Sequence, residues 1–312
     1  PNQKNNIRQQ ENCMTMQAND TVQVKVDIHQ RVTDTILKYM EEGTTPWQKP
    51  WKTGEATFAI PKNKVTEKPY NGVNILLLWG AAHKREYSSN IWASYRQWNE
   101  QKESIRKGEK GTMVVYYDFM EKEEDGKMKK VPFIKSYTVF NKCQLASYKP
   151  EEEIEIPVTP LVERLEQVEK FVANTNAVIK HEGTRACYMP SIDEIHIPEP
   201  TLFVDTEHST ATENYYSTLG HELVHWSGSE TRLNRNFGKR FGDKTYAAEE
   251  LVAEFGAAFL CAELGISREP RKDHADYIAN WITALKSNKF IVTASANAAS
   301  KAVEYLKGIQ FQ

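Results

Sequence analysis

The sequence predicts an α+β fold in two domains, with a mixed helical and stranded half followed by a mostly helical half that has a small sheet. Length favours two domains, since a domain usually has about 100–200 residues and the chain has 312. Apolar patterns change between helical and strand spacing along the chain. The charge also divides: residues 1–150 contain 24 Lys+Arg and 17 Asp+Glu, a balance of +7, and the remainder 16 and 25, a balance of −9. We therefore expect only the first half to suit a polyanion.

Composition excludes several classes of protein. Hydrophobic content of 40% with 26% charged residues is ordinary for a globular chain, so wholesale disorder is not expected. The most apolar run, 72–82, is far shorter than the roughly 18–20 residues of a membrane helix, and the N-terminal residues have no apolar signal core. The four Cys form no CxxC pair, which fits a reducing cytoplasm and predicts neither a disulfide framework nor a cysteine zinc site.

In the first half, the polar residues 1–20 are expected to form a disordered tail, and residues 21–146 the first domain. Apolar residues near helical spacing predict a helix over 22–40, which ends at Gly43. A loop with prolines and two tryptophans follows. The other predicted elements of this domain are helices at 70–82 and 91–104, strands at 113–117 and 131–140, and a charged turn at 121–126.

Residues 147–159, which are rich in Pro and Glu, are predicted to link this domain to a second domain over 160–312. Two strands are expected there, at 177–180 and 192–197, joined through Gly183. The expected helices of this domain are 160–174, 210–228, 245–264, 273–287 and 290–307.

The stretch Gly220-His-Glu-Leu-Val-His-Trp226 contains an HExxH pattern at His221, Glu222 and His225. Residues four apart lie on one face of a helix, so both imidazoles can bind one ion. Glu222 lies about 100° round the helix, beside that ion, where it can accept a proton from an activated water. Uncharged neighbouring residues favour this interpretation over a surface helix with two solvated histidines.

Zinc held by two histidines needs a third protein ligand and an open position. Thr231 stands where the third histidine of HExxHxxGxxH would be, which excludes that variant. The segment Glu250-Leu-Val-Ala-Glu254 resembles the ExxA[D/E] pattern of gluzincin metallopeptidases. The resemblance implies that Glu250 is the third ligand and that Glu254 orients a ligand histidine. Glu249 stays open as the competing third ligand, although we expect it to face solvent.

Two further roles concern the substrate of such a site. In zincins an edge strand beside the metal often pairs with an extended substrate, and residues 192–197 are the candidate here. Tyr246 is a candidate for stabilising the oxyanion.

The first half interleaves aromatic side chains with cations, a combination that binds single-stranded nucleic acid through base stacking and phosphate contacts. The alternative interpretation is that the tryptophans are core residues and the lysines are merely solvated. The candidate DNA-binding residues are Trp47, Lys49, Trp51, Lys68, Tyr70, Arg106, Lys107, Lys110 and Tyr116.

Roughly residues 25–310 resemble the ArdC-type antirestriction proteins of conjugative plasmids and other mobile elements. In the first half the resemblance rests on Thr45-Pro-Trp-Gln-Lys-Pro-Trp51, Lys68-Pro-Tyr-Asn-Gly-Val-Asn74 and Ile105-Arg-Lys-Gly-Glu-Lys-Gly-Thr112. In the second half it rests on Tyr216-Ser-Thr-Leu-Gly-His-Glu-Leu-Val-His-Trp226, Arg232-Leu-Asn-Arg235 and Tyr246-Ala-Ala-Glu-Glu-Leu-Val-Ala-Glu254. It implies an N-terminal domain that binds single-stranded DNA (ssDNA) and a C-terminal zincin-like metallopeptidase domain.

The resemblance also implies a cytoplasmic bacterial protein that protects incoming ssDNA from host restriction and is transferred with conjugating DNA. We expect one Zn²⁺ per chain, with another divalent metal as the alternative, and a host protein such as a restriction component as the substrate. No membrane partner is expected. Two alternatives remain: an ssDNA-binding protein with a non-catalytic metal site, and a cytoplasmic metallopeptidase without a DNA role.

Overall fold

The structure is a computed structural model that describes residues 27–43, 45–47, 59–124, 127–149, 161–206, 209–237, 244–266 and 274–311. The predicted tail and most of the predicted linker lie outside these ranges. The helices are α1 (Ile28–Glu41), α2 (Val73–Lys84), α3 (Tyr95–Glu100), α4 (Leu161–Asn174), α5 (Ala211–Ser227), α6 (Lys244–Leu264), α7 (His274–Ser287) and α8 (Ile291–Gly308). The strands are β1 (Lys62–Asn63), β2 (Ile91–Ser94), β3 (Thr112–Glu124), β4 (Lys127–Asn141), β5 (Val178–His181), β6 (Cys187–Met189) and β7 (Glu194–Ile197).

The first half forms a four-stranded sheet in the order β1-β2-β4-β3, in which β1 and β2 are parallel and the other pairs antiparallel. The helix α2 is apolar along most of its length, and Leu78 packs with Trp92, Val114 and Val139 of the sheet. Helix α1 begins after Asp27, whose carboxylate accepts a hydrogen bond from the backbone N–H of Gln30 at 3.1 Å.

The prediction of one helix over 91–104 is wrong, because its first residues form β2 and the helix α3 follows. The side chain of Ser94 accepts from the N–H of Gln97 at 3.2 Å, and the side chain of Gln97 accepts from the N–H of Ser94 at 2.9 Å. This capping box begins the helix at Tyr95. The apolar run before it is too short for its period to distinguish a strand from a helix.

The hairpin of β3 and β4 is longer than the two strands predicted for it. Pairing is continuous from Thr112 opposite Val139 to Glu124 opposite Lys127, so residues 121–124 are strand and not turn. On the other side of β4, only the last residues of that strand, from Val139 to Asn141, pair with β2. In the described part of the chain, the rest of the hairpin is therefore a two-stranded ribbon.

The second half contains a three-stranded sheet in the order β5-β7-β6. Strand β7 lies within the predicted strand 192–197, but it is the central strand, parallel to β5 and antiparallel to β6. The prediction that 192–197 is an edge strand is therefore wrong. Strand β6 is an edge strand that packs against α5, and its three residues are too few to show a period.

The two halves share one hydrophobic core. The indole of Trp47 has no exposed surface; its ring centroid lies 4.8 Å from that of Phe255 on α6 and 5.8 Å from that of Trp281 on α7. Trp79 of α2 similarly lies 5.8 Å from Phe259 of α6. The expectation that Trp47 contacts DNA is therefore wrong, because a buried indole contributes to the core and offers no stacking surface.

The α+β class is confirmed, and the five helices predicted for the second half match α4 to α8 within one residue at each end. These helices are long enough for the helical spacing of their apolar residues to define their boundaries from the sequence. Within the described ranges, no helix combines the length and apolar character required to cross a membrane.

We expect Trp47→Ala to lower the free energy of unfolding by about 3–5 kcal/mol, because it leaves a cavity between the two halves. The measurement is a urea titration of the full chain. As a matched control, Phe311→Ala should change stability by no more than about 0.5 kcal/mol, since Phe311 is 92% exposed. Equal urea midpoints for Trp47→Ala and the unmodified protein would contradict the core position.

Candidate metal centre

Helix α5 carries the whole HExxH pattern, and local hydrogen bonds fix its start. The side chain of Thr210 accepts from the N–H of Glu213 at 3.2 Å, and the carboxylate of Glu213 accepts from the N–H of Thr210 at 3.1 Å. His221 and Glu222 are each 3% exposed, and His225 is 9% exposed. The pattern therefore lies in the protein interior, unlike a surface helix with two solvated histidines.

Helix α6 crosses α5 at close range and brings acidic side chains to these histidines. The helices approach at Gly256, where a Cβ would lie 2.8 Å from both γ-carbons of Val224. The missing side chain allows this approach. Glu250 and Glu254 lie one turn apart on α6, so both side chains can turn towards α5.

One carboxylate faces both histidines. His221 Nε2 lies 3.7 Å from Glu250 Oε2, and His225 Nε2 lies 3.6 Å from Glu250 Oε1. These distances exceed the roughly 2.7–3.2 Å of an N–H···O hydrogen bond. They are near the spacing of about 3.3 Å between two ligand atoms around a tetrahedral ion with bonds of about 2.0–2.1 Å. One ligand atom from each residue lies within 4.8 Å of the others, and two imidazoles with a carboxylate are a donor set that fits a divalent ion.

The other ring nitrogen of each histidine faces a second carboxylate of α6. His221 Nδ1 lies 3.2 Å from Glu254 Oε1, and His225 Nδ1 lies 3.1 Å from Glu249 Oε1. A proton held on Nδ1 by these carboxylates leaves Nε2 free to bind a metal. Glu249 is only 5% exposed, so the expectation that it faces solvent is wrong. It lies against His225, while Glu250 lies between the two rings.

Arg235, which the sequence pattern does not connect with the site, holds Glu249 in place. Its Nη2 lies 2.8 Å from Glu249 Oε1, and its Nε donates to Oε2 at 3.1 Å. The same guanidinium donates to Ser227 Oγ at 3.0 Å and to the carbonyl of Val224 at 2.5 Å, which caps the end of α5. A Cβ at Gly228 would lie 2.6 Å from Arg235 Nη2, so glycine leaves room for this side chain.

The site is negative in character. It combines one arginine and two histidines with the carboxylates of Glu222, Glu249, Glu250 and Glu254. Burial lowers the pKa of His221, but its contacts with Glu250 and Glu254 outweigh burial and raise that pKa above its ordinary value. Burial raises the pKa of Glu250, but contact with His221 and the charge of His225 bring that pKa well below its ordinary value. Both directions describe a site that attracts positive charge.

Strand β6 lies beside the metal centre. The pKa of the Cys187 thiol is raised by burial and then by the charge of Glu222, which puts this strand within electrostatic reach of the HExxH pattern. Arg232 fastens the β6–β7 hairpin to the end of α5. It donates to Asp193 Oδ2 at 3.0 Å, and its guanidinium carbon lies 3.8 Å from the centre of the Trp226 ring.

The residues predicted to bind DNA differ from one another in their exposure to solvent. Two of them, Lys49 and Trp51, lie outside the described residues, and Trp47 is in the core. Those with exposed side chains are Lys68, Arg106, Lys107, Lys110 and Tyr116. The tyrosine is 50% exposed, which leaves a ring face accessible for stacking.

Arg106 and Tyr70 are partly committed to contacts within the protein. Arg106 donates to the carbonyls of Leu145 at 2.9 Å and Cys143 at 2.7 Å. It also forms an ion pair with Glu109 at 2.8 Å. Tyr70 is half-buried, and its hydroxyl accepts a hydrogen bond from Asn63 at 3.3 Å. We therefore expect the exposed lysines, which are less committed than Arg106, to make the main phosphate contacts.

Two family models match the chain. The one described as the N-terminal domain of anti-restriction factor ArdC matches residues 26–140, and the one described as a zincin-like metallopeptidase matches residues 166–298. The second segment contains the HExxH pattern of α5 and the three glutamates of α6 that face it.

Relatives are similar over nearly the whole chain. The uncharacterized protein y4eC of Sinorhizobium fredii is 37% identical over 304 residues, which cover 95% of this chain and 96% of y4eC. A DNA primase TraC of Escherichia coli is 34% identical over 91% of this chain, but the match spans only 27% of the primase.

Two crystal structures of the antirestriction ArdC protein from plasmid R388, 34% identical to this chain, have the same fold. The metal-free structure superposes with a TM-score of 0.75 and covers 92% of this chain and 98% of its own. The Mn(II)-bound structure superposes with a TM-score of 0.71 and covers 92% and 100%.

Isosteric substitutions should distinguish the ligand from the orienting carboxylate. We expect Glu249→Gln to weaken zinc affinity by about 10–100-fold, because it disturbs the orientation of His225 and the Arg235 ion pair but keeps all three ligand residues. Glu250→Gln should weaken it further, because it replaces an anionic carboxylate ligand by a neutral amide, one of whose two terminal atoms cannot bind the ion. The measurement is a zinc titration of the metal-stripped full chain, with the exposed Glu304→Gln as a control expected to match the unmodified protein. A larger loss for Glu249→Gln than for Glu250→Gln would reverse the choice of ligand.

Proposed function

Because the chain belongs to the ArdC-type antirestriction family, we propose that it protects incoming DNA of a mobile genetic element in the bacterial cytoplasm. In this proposal it binds ssDNA with its first half and a divalent ion, zinc in preference, with His221, His225 and Glu250. The single observation that carries the metal proposal is the buried convergence of two Nε2 atoms on one carboxylate. The Mn(II)-bound structure of the R388 protein supports the binding of a divalent ion by this chain.

The chemistry we propose is peptide hydrolysis. A divalent ion in this donor set supplies the Lewis acidity that hydrolysis of a peptide carbonyl requires. Glu222, buried between the two histidines on α5, would accept the proton of the attacking water and pass it to the leaving amine. Glu249 and Glu254 would hold the imidazoles by their Nδ1 atoms. Tyr246 makes a hydrogen bond to Glu250, so we assign it to the site. Its role in stabilising the oxyanion stays a prediction.

The edge strand β6 is better placed to bind the substrate than the predicted strand 192–197. One edge of β6 pairs with β7, and its other edge is free to pair with an extended peptide among the described elements. Arg232 keeps this hairpin fixed to α5 through Asp193. We propose a host protein, such as a restriction component, as the substrate class.

The DNA part of the proposal rests on the exposed cations and on the exposed Tyr116. Lysine contacts to phosphates give affinity without sequence preference, and an aromatic ring adds base stacking. The family model of the ArdC N-terminal domain covers all of the exposed candidates, from Lys68 to Tyr116. Transfer to the recipient cell with the conjugating strand would follow from such binding.

Glu222→Gln tests the peptidase role. We expect it to reduce cleavage of a fluorogenic peptide library by about 10²–10⁴-fold with zinc content unchanged, because it removes the proton acceptor and keeps the ligands. Glu304→Gln, a matched change on the exposed face of α8, should cleave normally. If Glu222→Gln still protects transferred DNA in a restriction assay, the protein acts by binding and hydrolysis is not its antirestriction mechanism.

Salt dependence tests the DNA role. The affinity for ssDNA should fall with salt, with a slope of log K against log salt of about −0.7 per phosphate contact. Lys107→Gln with Lys110→Gln should make the slope shallower, whereas the exposed Lys301→Gln on α8 should leave it unchanged. Fluorescence anisotropy with a labelled oligonucleotide measures both. Absence of binding at low salt would exclude ssDNA as a partner.

A further inference from the structure

One face of the β3–β4 hairpin changes from core to exposed aromatic surface. Val114 and Val139 on this face are 6% and 4% exposed and pack under α2. Two residues further from α2 on each strand, Tyr116 and Tyr137 are each 50% exposed. The structure therefore leaves two large rings half in water where the hairpin continues past the sheet.

The register defines which side chains share this face. Tyr137 lies opposite Val114, Lys135 opposite Tyr116, and Phe133 opposite Asp118. Side chains directly opposite in an antiparallel pair lie on the same face. We call Tyr116, Phe133, Lys135 and Tyr137 the hairpin platform.

Contacts inside the platform hold its rings in place and keep a cation beside them. The Tyr116 and Tyr137 rings lie 6.4 Å apart in an edge-to-face arrangement. The Tyr116 hydroxyl donates to Asp118 Oδ2 at 3.0 Å, which fixes the ring. Lys135 Nζ lies 4.9 Å from the centre of the Phe133 ring. Asp118, the acidic residue beside these rings, therefore accepts a hydrogen bond from a tyrosine, and the ammonium group of Lys135 is exposed beside the rings.

We propose that the hairpin platform is a binding site for the bases of ssDNA, with Lys135 contacting the adjacent phosphate. The proposal rests on the proposed ssDNA function and names its binding surface. Tyr116 and Tyr137 are diagonal neighbours across the two strands, with ring centroids 6.4 Å apart, so two bases of an extended strand can each contact one ring. Aromatic rings bind any base by stacking, and a neighbouring cation supplies the backbone contact. The positive balance of +7 in residues 1–150 favours a nucleic acid over a protein partner for these rings.

The test compares single variants of the full chain in anisotropy titrations with a labelled oligo(dT). Tyr116→Ala and Tyr137→Ala should each weaken binding by about 5- to 150-fold, since stacking on one ring contributes about 1–3 kcal/mol. Their salt slopes should not change, because no phosphate contact is lost. Lys135→Gln should make the slope shallower by about 0.7. Tyr137→Phe should bind like the unmodified protein, since the phenyl ring still stacks.

Tyr117 provides the matched control. It is 49% exposed on the same strand, but its side chain lies on the opposite face, near His29. Tyr117→Ala should therefore retain the affinity for oligo(dT), and thermal melts of all variants establish that they are folded.

The outcomes separate this inference from the proposed function. If the unmodified protein binds oligo(dT) and both alanine variants of the platform bind equally well, the platform is wrong and the ssDNA function stands. An equal loss for Tyr117→Ala also overturns the platform. If the unmodified protein does not bind, the proposed function fails first. A change in sedimentation of the platform variants without loss of DNA binding would assign this face to contact between two copies of the chain.

Discussion

The arrangement around α5 and α6 depends on one constraint, the compensation of buried negative charge. Glu222, Glu249 and Glu254 are only 3–5% exposed, and a buried carboxylate without a partner is strongly destabilising. Arg235 compensates Glu249, and both ring nitrogens of His221 and of His225 face carboxylates, an arrangement that favours a further positive charge. A divalent ion at His221, His225 and Glu250 would provide that charge and leave the imidazoles neutral. The ion we propose would therefore offset buried negative charge in this helix pair in addition to supplying chemistry.

Two small residues make the compact arrangement geometrically feasible. Gly256 lets α6 approach Val224 of α5, and Gly228 lets the chain turn back so that Arg235 reaches both Glu249 and the end of α5. A larger side chain at either glycine would have to displace a neighbour less than 3 Å away. The positions of the carboxylates are therefore set by backbone packing, which fixes the ligands before any ion arrives.

The sequence predicts the parts of this structure that depend on local spacing. The HExxH pattern and the long helices follow from the 3.6-residue period, and Glu250 follows from its resemblance to a gluzincin motif. Contacts between distant segments are not encoded in that way. The orientation of Glu249 depends on Arg235, 14 residues away, and the burial of Trp47 depends on Phe255, more than two hundred residues along the chain. Short strands such as β6 have no period, and Tyr137 becomes part of an exposed surface only once the hairpin register is known.

The helix α8 explains why the two halves have a fixed geometry. Thr293 lies 3.2 Å from His29 Nδ1 and also bonds the hydroxyl of Tyr117, on the inner face of the β3–β4 hairpin. Two turns along, Ser300 accepts from the N–H that precedes α2, at 2.8 Å. On its other side, Ser295 donates at 3.1 Å to the carbonyl of Ala248, next to Glu249. The hairpin and α6, which carries Glu250, are thus attached to one helix. A DNA strand on the hairpin platform, as we propose, would therefore have a defined position relative to the proposed metal centre.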